Sequence, residues 1–231
     1  NGFNQIFINS EDQVISEKYA EIRKFLKDKK DGDMDSRDIL TIKGLIRRGE
    51  ARTASSYNNI PLDRVHFLDL PFYETGKIQK NPISEADVEI VRNLLREIKP
   101  HQIFVAGDLA DPHGTHRVCT DAVFAAVDLE KEEGAKWLKD CRIWMYRGAW
   151  AEWEIENIEM AVPISPEELR AKRNSILKHQ SQMESAPFLG NDERLFWQRS
   201  EDRNRGTATL YDQLGLASYE AMEAFVEYVP L

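Results

Sequence analysis

Residues 84–129, SEADVEIVRNLLREIKPHQIFVAGDLADPHGTHRVCTDAVFAAVDL, decide the fold. Ser84 suits a helix N-cap and Asp87 is the acid three positions on, so residues 84–98 read as a helix with a reciprocal cap. Lys99-Pro100 stops it. His101–Ala106 (HQIFVA) is a short apolar run that reads as a buried strand. Gly107–Gly114 is a loop, and residues 116–129 read as the next helix. A helix, a buried strand, a loop and a second helix, in that order, are the pieces from which a parallel sheet with helices on its faces is built.

Working outward, Cys141–Tyr146 (CRIWMY) and Val65–Leu68 (VHFL) read as two further strands, the latter ending in Asp69-Leu70-Pro71. On the N-terminal side, residues 11–30 read as an amphipathic helix, with Val14, Ile15, Tyr19, Ile22, Phe25 and Leu26 at helical spacing and Ser10 placed to cap it. Asp31, Asp33 and Asp35 alternate like the opening of a calcium loop. The turn glycine and closing glutamate of such a loop are missing, so they read as a solvated loop before a helix over 36–57. On the C-terminal side, residues 147–163 read as a strand with an irregular lead-in. Helices are expected over 165–180, starting at Ser165-Pro166, and near 191–204 and 206–214. With no repeat and no flexible linker, residues 1–231 read as a single α/β domain. The first residue is Asn1, not Met, which reads as a processed chain or a piece of something longer.

The chain has 231 residues, 42% hydrophobic and 31% charged, enough to bury a core. Its formal net charge of -9 argues against a nucleic-acid partner, since phosphate binding needs clustered Lys and Arg. One local basic pocket for a single phosphate remains compatible with that balance. No apolar run is long enough for a bilayer and no signal peptide opens the sequence. Cys119 and Cys141 have no metal-type spacing and read as buried, reduced thiols of a cytoplasmic protein. Trp137, Trp144, Trp150, Trp153 and Trp197 read as core or interface anchors, with Trp150 and Trp153 placed to line a pocket. His66 and His101 read as structural. No GxSxG elbow and no phosphate-binding glycine loop is present.

Ligands of open parallel sheets bind at the carboxyl ends of strands. Two predicted strand ends carry polar residues: Asp69 after VHFL, and Asp108, Asp111, His113 and His116 after HQIFVA. Two histidines three apart at a helix start can point at one centre, where imidazole can ligate a metal or stabilise negative charge. The alternative is that Asp111 and Thr115 cap the helix and both histidines are solvated.

The segment His113-Gly114-Thr115-His116-Arg117, between a strand and a helix, resembles the LmbE/PIG-L family of zinc-dependent N-acetylglucosaminyl deacetylases. Arg47-Arg48-Gly49-Glu50-Ala51, Val65-His66-Phe67-Leu68-Asp69-Leu70-Pro71, Lys178-His179-Gln180-Ser181-Gln182 and Glu223-Ala224-Phe225 resemble other segments of that family, in the same order. The resemblance runs from about residue 40 onward. DLPFYETG, AGDLADPHGTHR, WMYRGAW and KHQSQM are similar to a bacterial subgroup in which such a domain follows a glucosamine-6-phosphate deaminase-like domain in one polypeptide.

The resemblance implies a Rossmann-like sheet, His116 as a metal ligand, His113 as the residue that stabilises the oxyanion, and Arg48 and Asp69 as substrate contacts. Asp108 and Asp111 are further candidate ligands. His179 is placed on a late helix near the pocket. The sequence departs from the family at one point: the His-Pro-Asp-Asp motif that supplies two zinc ligands and the general base is absent. The expectation is therefore an N-terminally incomplete domain, without its first strand, from a zinc hydrolase that deacetylates N-acetylglucosamine-type sugars, phosphorylated ones included. Zinc belongs to the complete domain, and this chain alone is expected to be inactive. The alternative is a non-catalytic module that binds a sugar phosphate beside a deaminase; deaminase chemistry itself would belong to the upstream domain. The partners implied are an amino sugar and that upstream domain; a homo-oligomer stays open.

Overall fold

Asp87 shows how local chemistry builds the first half of the fold. In the computed structural model, which describes residues 12–30, 32–73, 81–107, 114–149, 151–183 and 193–229, this aspartate is fully buried. One carboxylate oxygen accepts from the Ser84 N–H at 2.8 Å and from its hydroxyl at 2.5 Å, and the other accepts from the Phe72 N–H at 2.9 Å. Burial works against the charge, but those hydrogen bonds outweigh it and hold the carboxyl below its usual range. The contact ties the turn Pro71–Tyr73 to the start of the helix Glu85–Ile98.

The helices in chain order are α1 (Asp12–Asp28), α2 (Arg37–Tyr57), α3 (Glu85–Ile98), α4 (Thr115–Glu132), α5 (Pro166–Ile176) and α6 (Phe196–Gln213). The strands are β1 (Gln102–Ala106), β2 (Arg142–Tyr146), β3 (Met160–Ile164) and β4 (Ala221–Tyr228), in the order β1-β2-β4-β3. β1 and β2 are parallel, from Gln102 opposite Arg142 to Ala106 opposite Tyr146. β4 runs antiparallel to both β2 and β3. The α/β architecture with a Rossmann-like parallel pair is as expected, and the sheet as a whole is mixed.

One face of the sheet, through Val105 and Ile143, buries against Val91 and Leu95 of α3 and Ala122, Ala126 and Val127 of α4. The alanines let α4 approach closely, and each larger aliphatic side chain contributes roughly 1.5–3 kcal/mol on burial. Between α3 and α4, the buried Glu130 accepts from Arg92 Nε and Arg96 Nε, both at 2.6 Å. The N-terminal end of α4 is pinned to the sheet by the Thr120 hydroxyl, which donates to Ala106 O at 2.7 Å.

Four expectations change. Residues 65–70 are not a strand: they run without a ladder partner among the described residues, between the turn Leu62–Arg64 and the turn at Pro71. The two late helices are one, because Gly206 sits within α6 without breaking it. The helix begun at Ser165 ends at Ile176, and Gln180–Gln182 is a separate 3-10 turn. Cys119 is exposed and Cys141 half-buried, where both were expected to be buried, and neither is in a disulfide. A Cβ at Gly206 would meet nothing within 4 Å. Gly206→Ala is therefore expected to raise the unfolding free energy by about 0.5–1 kcal/mol, read as a higher urea midpoint at unchanged m-value.

Of the loop aspartates, Asp33 is exposed as a solvated residue should be, but the Asp35 side chain is largely shielded. Asp35 pairs with Lys29 and Lys43 at 2.6 Å each, while Asp31 lies outside the described residues. No helix among the described residues is long and apolar enough to cross a membrane.

Candidate functional site

β1 and β2 end side by side, with Gly107 N–H donating to Tyr146 O at 2.8 Å. Position 107 has to be glycine: a Cβ there would lie 2.7 Å from Met145 Cβ and 2.8 Å from the Trp153 ring. The same Trp153 ring carries the Arg147 guanidinium, 4.0 Å from its centroid. The carboxyl end of the parallel pair is thus closed on one side by Trp153 and Arg147. Trp153 is half-buried in this wall, and Trp150 lies outside the described residues.

A half-buried charge network holds this wall. Glu152, next to Trp153, accepts from Arg203 at 2.7 Å and from the Thr207 hydroxyl at 2.7 Å, both on α6. Arg203 also pairs with Glu223 of β4. Lys172 of α5 donates to Glu223 and to Asn204 Oδ1, at 2.6 Å each. Asn204 in turn donates to Met222 O at 2.7 Å. Two cations and two carboxylates balance, so the network is neutral as a unit. Burial lowers the Lys172 pKa despite the opposing pull of Glu223. Burial also penalises the Glu223 carboxylate, yet Arg203 and Lys172 outweigh it and keep it below its usual range. Burial, then the Glu223 charge, raises the Tyr146 phenol.

None of Glu152, Lys172 or Arg203 was singled out from the sequence. Glu223 was, but only through a resemblance. A signal did exist: Ala221-Met222-Glu223-Ala224-Phe225 places an acid in an apolar stretch of β4, which calls for a cationic partner.

The other expected residues fall as follows. Arg48 of α2 pairs with Asp69, whose backbone is left-handed at φ +50°. Arg48 and Arg52 both stack on Phe67, 5.4 and 5.3 Å from the ring centroid. Glu50, between them, accepts from Ser181 N–H and Oγ at 2.7 Å each, joining α2 to the KHQSQ segment. His116 is the second residue of α4 and is exposed. Asp108, Asp111 and His113 lie outside the described residues. His179 is half-buried at the cap of the 180–182 turn, and His66 and His101 are exposed. Among the described residues, no three His, Cys, Asp or Glu side chains converge on a point that could hold a metal. Those residues by themselves do not fit a zinc ion.

The chain is thus an α/β domain in which the Arg48–Asp69 pair precedes the helix-start His116 in sequence. Residues 26–127 match the family described as GlcNAc-PI de-N-acetylase (PIG-L), a segment that contains Arg48, Asp69 and His116. Over all 231 residues the chain is 98% identical to a glucosamine-6-phosphate deaminase-like protein of Bacteroides thetaiotaomicron, and it spans 35% of that protein's length. Two solved structures share the fold. One is the 4-carboxy-2-hydroxymuconate hydratase GalB of Pseudomonas putida KT2440 (TM-score 0.56, 12% identity, 87% of this chain and 77% of that one). The other is the N,N'-diacetylchitobiose deacetylase of Pyrococcus horikoshii (TM-score 0.50, 17% identity, 87% and 67%). A hydratase and a deacetylase on one scaffold show that the fold alone does not select the reaction.

Proposed function

We propose that this chain is the greater part of a metal-dependent N-deacetylase domain acting on N-acetylglucosamine-type sugars, working within a longer polypeptide that also carries a deaminase-like domain. The reaction is amide hydrolysis: water adds to the acetamide carbonyl, the C–N bond breaks, and acetate and a free amine leave. The observation that carries the reading is the pairing of Arg48 with Asp69 inside the PIG-L segment. These two residues are 21 positions apart in sequence, and each was expected to touch the sugar.

In this reading Arg48 and Asp69 hold the sugar hydroxyls, His113 stabilises the oxyanion, and His116 contributes to a zinc site that other donors complete in the whole polypeptide. Asp108 and Asp111 are the nearest additional donors in sequence. In the same reading residues 1–231 form one unit that works in the cytoplasm.

The test is acetate release from N-acetylglucosamine and from its 6-phosphate, by the intact polypeptide and by this 231-residue chain, each with added zinc. Release by the intact polypeptide and none by the chain is expected. Robust release by the chain would overturn the split site. No release by the intact polypeptide, with sugar phosphate still bound, would replace the hydrolase with a non-catalytic binding module.

A further inference from the structure

The C-terminal half of α2 presents Arg47, Arg48 and Arg52, and Glu50 is the only acid in the run from Lys43 to Asn58. Glu50 is committed to Ser181 through both of its oxygens. Asp69 neutralises Arg48. Among the described residues neither Arg47 nor Arg52 has a carboxylate within ion-pair distance, in a protein whose formal net charge is -9.

Arg48 and Arg52 are one helical turn apart and flank a single ring, Phe67. Like charges at that spacing repel, and the ring face compensates through the cation–π attraction. Stacking on Phe67 also limits the motion of Arg52, while its residue remains exposed to solvent. Among the described residues the result is a guanidinium seated against an aromatic ring with no carboxylate partner, beside the Arg48–Asp69 pair. Planar guanidinium suits a phosphate through two parallel hydrogen bonds.

We propose that Arg52, seated on Phe67, is a specificity-determining residue that takes the phosphate monoester of a phosphorylated amino sugar whose ring lies at Arg48 and Asp69. The inference rests on the amino-sugar reading above and narrows its substrate class to phosphorylated sugars.

The test is calorimetric binding of N-acetylglucosamine 6-phosphate and of N-acetylglucosamine to the intact polypeptide, as wild type, Arg52→Ala and Arg52→Lys. Arg23→Ala, which removes an exposed charge from α1, is the control. Wild type and Arg23→Ala should prefer the phosphorylated sugar. Arg52→Ala should lose about 10-fold or more of that preference, with affinity for the unphosphorylated sugar unchanged, and Arg52→Lys should retain part of it. Inorganic phosphate should compete with the phosphorylated sugar in wild type and not in Arg52→Ala. An unchanged preference in Arg52→Ala, or an equal loss for both sugars, would overturn the proposal. Acetate release separates this from the wider reading. A phosphate preference that depends on Arg52 without deacetylation supports this inference and removes the hydrolase. Equal deacetylation of both sugars, indifferent to Arg52, removes this inference and keeps the hydrolase.

Discussion

Glu223→Gln is expected to lower the unfolding free energy by about 3–5 kcal/mol, measured by urea denaturation near neutral pH. The amide keeps the shape of the side chain but removes the charge that faces Lys172 and Arg203. Two half-buried cations would then share one carboxylate, Glu152. Adding Lys172→Met to Glu223→Gln restores the balance, leaving Arg203 opposite Glu152. The double variant should therefore be more stable than Glu223→Gln alone, which is the signature of coupled rather than additive sites. A loss below about 1 kcal/mol for the single variant would mean that water reaches the network and screens it.

The pH dependence carries a definite sign. The folded Glu223 pKa lies below its unfolded value. Its contribution is present above the usual carboxylate range and is lost as pH falls through the folded pKa. Glu223→Gln should remove that part of the acid-side decline. Lys172 is also depressed in the folded state, so its burial penalty is relieved as pH rises from the folded towards the unfolded pKa. Without Glu223, which opposes that depression, the folded pKa falls further, so the variant should regain more stability on the alkaline side than wild type does.

What could be read in the sequence was local. The reciprocal cap at Ser84 and Asp87, the proline that starts α5 and the apolar runs of β1 and β2 depend on neighbours a few positions away, and all are found. VHFL was read as a strand on composition, but a strand exists only with a partner, and pairing is settled far along the chain. The reversed direction of β4 is equally invisible to a local pattern. Helices were expected over 191–204 and 206–214, whereas α6 runs unbroken through Gly206: glycine costs a helix about 1 kcal/mol, and packing of α6 against β4 outweighs that.

The site divides in the same way. Arg48 and Asp69 were named through a resemblance and are joined in the fold. Glu50 and Ser181 meet across 131 positions, and Lys172 reaches Glu223 across 51. No spacing rule connects such pairs. The charge network nevertheless has a functional bearing, because Glu152 anchors the segment that sets Trp153 against Gly107 at the carboxyl end of β1.

His116→Ala in the intact polypeptide should reduce zinc retained after washing and lower the rate of acetate release by more than about 100-fold. Removing a residue that merely orients a ligand costs roughly 10–100-fold, and losing the ligand itself should exceed that. His116 is exposed at the second position of α4, and the Thr120 hydroxyl ties α4 to the sheet. The substitution should cost the metal-free protein no more than about 1 kcal/mol in urea denaturation, far short of unfolding it, which separates a lost donor from a lost fold. In the 231-residue chain alone, neither wild type nor His116→Ala should retain zinc, because tight binding needs about three protein donors. Retention of one zinc by the chain, lost on His116→Ala, would instead place a complete donor set within residues 1–231. Asp108, Asp111 and His113 would then be the first positions to replace.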